Sequence, residues 1–146
     1  MSLPLRPLHL VALLAFAASC ALPAFAQSRR VDQANLYQYW ILLNTSVTMD
    51  APNSGLNLEK PGCAAVTYTI GSDGVPRDVQ VARLVPKSDL ASVAKSAVSQ
   101  FRYGPSLNNR VGNPVSTYYV VPFNAPTDPA ARAAVLKPCA LTGYGS

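Results

Sequence analysis

The stretch YTIGSDGVPRDVQV, from Tyr68 to Val81, decides the fold that this sequence predicts. Its first half alternates apolar and polar residues, as in a half-buried strand. Gly71–Gly74 then forms a tight turn, because glycine tolerates the positive φ that such turns need. The second half continues the inward-facing row with two valines, so the stretch predicts a β-hairpin. Leu84 breaks the alternation, and we expect a bulge or a strand end near Ala82–Arg83.

Downstream of the hairpin, the pattern predicts a helix and then a third strand. Ser88 is the expected N-cap, and Gly104-Pro105 the expected stop. Between them an apolar stripe recurs at helical spacing: Leu90, Val93, Ala94, Ala97, Val98 and Phe101. The third strand, PVSTYYVVPFN (residues 114–124), is rich in β-branched and aromatic residues. Its odd-numbered residues are expected to pack on the helix: Val115, Thr117, Tyr119, Val121 and Phe123.

The order of the strands follows from the connections. The helix returns the chain along the sheet, so strand three runs parallel to strand two and fits beside strand one. A right-handed crossover then gives the order 2-1-3. Pro122 has no N–H to donate, which independently favours an edge position for strand three. The predicted fold class is α+β: a three-stranded antiparallel sheet (order 2-1-3) with a helix packed on one face, plus an N-terminal helix and a short C-terminal helix.

The two flanking helices are predicted from shorter patterns. Asp128-Pro129 before AARAAVLK is a good helix start, with aspartate as N-cap and proline in the first turn. Upstream, residues 32–46 place four apolar residues at positions i, i+3, i+4 and i+7, with Asp32 as the expected N-cap. These four are Leu36, Tyr39, Trp40 and Leu43. The alternation of Tyr37, Tyr39 and Ile41 leaves a strand open as the alternative.

The N-terminus predicts export. Arg6 precedes an apolar run over residues 10–22, and Ala24 and Ala26 form an A-x-A arrangement, which predicts a signal peptide cleaved after Ala26. The run has 13 residues, whereas a membrane-spanning helix needs about 20. Two alternatives stay open, namely a retained membrane anchor and lipidation at Cys20.

After cleavage, two cysteines remain. An even pair in an exported chain predicts a disulfide between Cys63 and Cys139. The alternative is two buried free thiols.

The mature chain lacks the residues that most catalytic and metal sites need. The one histidine of the sequence, His9, lies in the predicted signal, so Ser-His-Asp and Cys-His arrangements and imidazole zinc sites are excluded from the mature chain. The seven acidic residues are scattered. We therefore predict no enzyme, no cofactor and no metal. Of the 12 Lys and Arg residues, all but Arg6 lie in the mature chain, and they form no stripe, so nucleic-acid binding is not predicted either.

Three pieces in order resemble the TonB C-terminal domain family. They are CAAVTYTIGSDGVPRDVQV (residues 63–81), LASVAKSAVSQFRYGP (residues 90–105) and GNPVSTYYVVPFN (residues 112–124). The resemblance implies a domain that captures an extended segment of an outer-membrane receptor, or of another envelope protein, as an added strand. Carried over, the partner-binding edge is strand three: Val115, Ser116, Thr117, Tyr118, Tyr119, Val120 and Val121.

The chain departs from that family at its N-terminus. Residues 1–26 look cleavable, and only about 36 residues, without a proline-rich run, separate Ala26 from strand one. The predicted organisation is a signal (1–26), an N-terminal helical segment (27–50), a TonB C-terminal-like domain (51–126) and a tail (127–146). We therefore expect a periplasmic binding module linked to outer-membrane transport. The alternatives are a membrane-anchored energy transducer and a structural envelope-assembly domain that uses its sheet edge to pair with itself, as a homodimer, or with an envelope complex.

Overall fold

The structure is a computed structural model that describes residues 28–44 and 46–145. These residues form two β-sheets. Within those residues the strands are β1 (Arg29–Arg30), β2 (Trp40–Leu42), β3 (Gly62–Ile70), β4 (Pro76–Val85), β5 (Tyr103–Pro105) and β6 (Val115–Phe123). The α-helices are α1 (Ala91–Ser99) and α2 (Pro129–Leu136), and short 3-10 turns lie at Leu36–Gln38, Leu107–Asn109 and Lys137–Cys139. The predicted signal, its cleavage site and Cys20 lie outside the described residues.

The hairpin predicted from residues 68–81 is formed by β3 and β4. The N–H of Gly74 donates to the carbonyl of Gly71 at 2.9 Å and closes the turn. Gly74 has a φ of +75°, and a methyl group on it would lie 2.0 Å from the carbonyl oxygen of Tyr103. Both the backbone angle and this close approach therefore require glycine.

β4 is bent by two irregularities. The residues on either side of Ala82 pair with consecutive residues of β3, so Ala82 is the extra residue of a bulge, as the sequence predicts. A second register shift lies opposite Tyr68, where Asp78 has a φ of +53°. Bulges of this kind increase the local twist of an edge strand.

The main sheet has four strands, in the order β1-β6-β3-β4. β6 runs antiparallel to β3 in unbroken register, and β1 runs parallel to β6, opposite Val115 and Ser116. The prediction of three strands, with strand three as a free edge along its whole length, is therefore wrong. The cause is a non-local contact: two consecutive arginines give no strand pattern of their own, but Val31, 1% exposed, anchors this segment in the core beside β6.

The predicted N-terminal helix is also wrong. Only Leu36–Gln38 forms a helical turn, and the chain then enters β2, which pairs antiparallel with β5. Leu36 and Trp40 are buried, and the Trp40 indole N–H donates to the Asn113 carbonyl at 3.1 Å. The helical spacing of these residues thus reflects two side chains buried in the core, and not an α-helix. Leu43, also on the predicted stripe, is 65% exposed.

The central helix is present but shorter than predicted. α1 follows Leu90 as N-cap and buries Val93, Ala94, Ala97 and Val98 against the sheet. It ends at Ser99, and the predicted stop Gly104-Pro105 instead lies in β5. Ser88 is not the N-cap either, although its hydroxyl accepts a hydrogen bond from the Leu90 N–H at 3.4 Å. Pairing with β2 explains this difference, because that non-local contact gives the segment after α1 a strand partner.

The tail covers the second face of the sheet. α2 begins as predicted, with the Asp128 carboxylate accepting from the Ala131 N–H at 2.8 Å. Cys63 of β3 and Cys139 form the predicted disulfide, and both are fully buried. Arg83 of β4 donates to the carbonyl of Pro138 at 2.7 Å. The sheet is therefore packed on both sides, by α1 on one face and by the tail on the other.

Candidate functional site

In β6, the backbone N–H and C=O groups that point away from β3 belong to the even-numbered residues, and we call these groups outward. The Ser116 carbonyl points away from β3, since it accepts from the Val31 N–H at 2.9 Å. In an antiparallel pair such groups alternate with a period of two, and the register of β6 with β3 has no shift. Tyr118, Val120 and Pro122 therefore also face outward. The Val120 N–H agrees with this, because it donates to the side-chain oxygen of Gln33 at 3.3 Å.

The seven predicted edge residues consequently divide into three groups. β1 covers the edge at Val115 and Ser116. The odd-numbered residues beyond them direct their backbone to β3: Thr117, Tyr119 and Val121. Tyr118 and Val120 present theirs outward, next to Pro122, which the prediction did not include. Among the described residues no strand pairs with β6 beyond Ser116 on this side. We call the segment from Tyr118 to Pro122 the open edge.

An apolar groove runs beside the open edge on its α1 side. It consists of two hollows of about 220 and 170 Å³ that share Leu42 and Tyr119 in their walls. Ile41 is 44% and Met49 48% exposed, although both are large and apolar. No charged side chain lines either hollow. We call it the β2 groove. The prediction did not include this groove. Its signal in the sequence is the apolar side chains of residues 36–49, most of which lie within the predicted helix over residues 32–46.

A larger cleft of about 470 Å³ lies at the other end of β6, against Ser28, Arg29 and Pro114. Its buried polar side chain is Asn109, 3% exposed. Asn109 accepts from the Asn113 N–H at 2.9 Å and donates to the Asn113 carbonyl at 3.1 Å. Because these bonds satisfy the amide within its own loop, they indicate a structural role.

Aromatic side chains lie behind the open edge on both faces of the sheet. Tyr119 is half-buried and meets Phe101 edge-on, with 5.1 Å between ring centroids. Tyr118, on the other face, lies against Tyr144 at 4.9 Å. Both predicted tyrosines therefore have packing partners. Beneath Tyr119, the hydroxyls of Tyr68 and Tyr103 are hydrogen-bonded at 2.6 Å.

This buried tyrosine pair predicts a loss of stability at high pH. Burial raises the pKa of Tyr68 well above its usual value, and raises the pKa of Tyr103 to about 12. An unfolded tyrosine ionises near pH 10. The pair's contribution should therefore be full below about pH 10 and be lost as the pH rises toward about 12.

Urea unfolding at several pH values checks this prediction. The double variant Tyr68→Phe/Tyr103→Phe removes both hydroxyls together, so no buried polar partner is left orphaned. We expect its free energy of unfolding to fall less steeply between pH 10 and 12 than that of the wild type. Equal slopes would contradict the assignment.

Thr117, at the centre of β6, carries a polar atom without a partner. Its side chain is fully buried, and within the described residues its hydroxyl oxygen has no hydrogen bond. An unsatisfied buried hydroxyl costs about 1–3 kcal/mol. We therefore expect Thr117→Val, which keeps the branched shape, to raise the free energy of unfolding by about 1 kcal/mol in a urea titration. Thr117→Ala is the control, because it also removes the hydroxyl but leaves a cavity, and it should lower stability. A valine variant less stable than the wild type would show that the hydroxyl is satisfied.

The described residues contain no cluster of His, Cys, Asp or Glu side chains that could hold a metal ion. Nor does the same part of the chain contain a helix that is long and apolar enough to cross a membrane.

The fold and the open edge together define a small α+β domain built around a hairpin, a helix and a last strand. Residues 52–124 match the family of Gram-negative bacterial TonB protein C-terminal domains, and the chain belongs to this family. A solved structure, the solution NMR structure of the Pseudomonas aeruginosa TonB CTD, is similar at 21% sequence identity with a TM-score of 0.46. That similarity covers 66% of this chain and 94% of the other. No curated protein sequence matches the chain significantly.

Proposed function

We propose that this protein is a periplasmic binding module that docks an extended segment of another envelope protein on its open edge. The observation that carries this proposal is the end of the β1 pairing at Ser116, with β6 continuing to Phe123. The outward groups of Tyr118, Val120 and Pro122 are placed to form a ladder with an added strand. In such β-augmentation the backbone bonds give affinity, and side-chain pockets give specificity.

The surroundings of the open edge indicate the chemistry of the segment that would dock there, which we call the guest. Successive side chains of a strand point to opposite faces, so every second residue of a guest would face the β2 groove. Because no charged side chain lines that groove, burying a charge there would go uncompensated. The guest should therefore carry uncharged, apolar residues at alternate positions. About five residues would span the open edge.

Membership in the TonB C-terminal family suggests a role in envelope transport, with an outer-membrane receptor segment as the guest. We propose a binding role and not a catalytic one. Synthetic N-terminal segments of outer-membrane receptors, titrated into the mature protein by calorimetry, test this proposal. Saturable binding by segments with alternate apolar residues would support it. The absence of binding across the panel would count against it.

The competing role of a membrane-anchored transducer meets a geometric difficulty. Ser28 already bonds to Ser116 at the sheet, two residues after the predicted cleavage site at Ala26. The apolar run that would form the anchor ends at residue 22, and the six residues from there to Ser28 span at most about 20 Å. A retained anchor would thus hold the domain at the membrane surface, without reach. Sequencing the N-terminus of the mature protein separates the two roles, since Gln27 is expected for the module and Met1 for the transducer.

The assembly alternative would use the same open edge for self-pairing. Two copies could add their β6 strands to one another, as unprotected edges do. Sedimentation over a concentration range distinguishes the two uses, because self-pairing predicts a dimer that competes with receptor segments.

A further inference from the structure

The N-terminal strap, residues 28–33, already uses part of the β6 edge. Its backbone bonds to Ser116 through Val31, and its side chains reach further along the strand through Gln33. The strap therefore contains a fixed part and a movable part.

The fixed part is centred on Val31. This residue is 1% exposed and forms a bridge to Gly145 of the tail on its other side. Arg30 lies over the ring of Tyr144 at 5.9 Å, and Tyr144 packs against Tyr118. Removing Val31 from its place would expose a core side chain, so β1 is a permanent neighbour of β6.

The movable part is the side chain of Gln33. This residue is exposed and lines both the β2 groove and a shallower hollow next to Tyr118. Its backbone lies in a turn held by Asp32, whose carboxylate accepts from the Asn35 N–H at 2.8 Å. Its side-chain oxygen accepts from the outward N–H of Val120 at 3.3 Å. An amide oxygen is chemically the same acceptor as the backbone carbonyl of a guest strand.

We propose that Gln33 is a placeholder for the guest. Its side-chain carbonyl satisfies the Val120 N–H in the free protein and is replaced by a backbone carbonyl of the guest on docking. Docking replaces one amide acceptor by another, so the bond to Gln33 must be broken and lowers the affinity of the open edge. This inference rests on the proposed docking function for its binding consequence, but not for the bond itself.

The sign of a mutational effect tests the proposal. Gln33→Ala frees the Val120 N–H, and the loss of one hydrogen bond of ordinary strength should tighten receptor-segment binding about 2- to 10-fold. Gln33→Glu supplies a charged and therefore stronger acceptor, and should weaken binding by a similar factor. Gln80→Ala is the matched control, because Gln80 is an exposed glutamine on β4 at the opposite edge; it should bind like the wild type. A Gln33→Ala variant with unchanged or weaker binding would overturn the proposal.

Amide hydrogen exchange, measured by NMR without any peptide, separates this inference from the docking function. The Val120 amide should exchange about 2- to 10-fold faster in Gln33→Ala than in the wild type, while the amides of Tyr119 and Val121 stay protected by β3. If no receptor segment binds but Val120 exchange accelerates, the placeholder bond stands and the docking function fails. Unchanged Val120 exchange overturns the placeholder whatever the peptides do.

Discussion

Replacing Cys63 and Cys139 together by alanine should lower the free energy of unfolding by roughly 4–5 kcal/mol. The disulfide joins residues 76 positions apart, and the chain-entropy model assigns a loop of this length a stabilisation of that size. The cross-link also attaches the tail to the sheet, because α2 contributes no buried residue of its own. Without the disulfide, the tail keeps only surface contacts near its end, such as the Arg83 bond to the Pro138 carbonyl and the packing of Tyr144 on Tyr118. A domain of this size has only about 5–15 kcal/mol in total.

Urea titrations of three samples measure this effect. The oxidised wild type should be the most stable, and the reduced wild type should match Cys63→Ala/Cys139→Ala. That agreement would separate the cross-link from the loss of the two sulfur atoms. A difference below about 1 kcal/mol between the oxidised protein and the double variant would contradict the assigned contribution.

Val120→Pro should weaken receptor-segment binding by about 30- to 100-fold while leaving the protein folded. The substitution removes the outward N–H at the centre of the open edge and places a ring in the path of the guest. Proline is tolerated where the lost N–H faces away from the sheet. Pro122, two residues further along β6, already stands at such an outward-facing position. The ladder to β3 uses the odd-numbered residues, so it is preserved.

Val120→Ala is the matched control for this prediction. It keeps the N–H and shortens the side chain, so binding should stay within about threefold of the wild type. Thr117→Pro would be an unsuitable probe, since the backbone of Thr117 faces Tyr68 of β3 and its loss would disrupt the sheet. A folded Val120→Pro protein that binds like the wild type would exclude the open edge as the docking site.

Apart from the disulfide, which followed from the pairing of the two cysteines left after the signal, the features predicted correctly from sequence are encoded locally. The turn at Gly71–Gly74 follows from glycine chemistry, and the start of α2 follows from Asp128-Pro129. The bulge at Ala82 was visible because Leu84 broke the alternation. In each case the residues that determine the structure lie within a few positions of it.

The features that were missed depend on distant partners. β1 consists of two arginines, whose charge predicts that they are exposed to solvent. They form a strand only because Val31 is buried next to them and bonds to the Ser116 carbonyl of β6. β2 and β5 are strands only because they pair with each other; alone, Gly104-Pro105 reads as a helix stop. The extent of the open edge depends on the same non-local contact, because β1 covers the start of β6. The docking role of the open edge stays a prediction.

Amide protection across the sheet during peptide titration tests the central claim most directly. On addition of a receptor segment at saturating concentration, the amides of Tyr118 and Val120 should gain protection. The amides of Tyr119 and Val121, already bonded to β3, should change little, and those of β4 should not respond. Saturable binding that protects β4, or that leaves Tyr118 and Val120 exchanging as in the free protein, would contradict docking at the open edge.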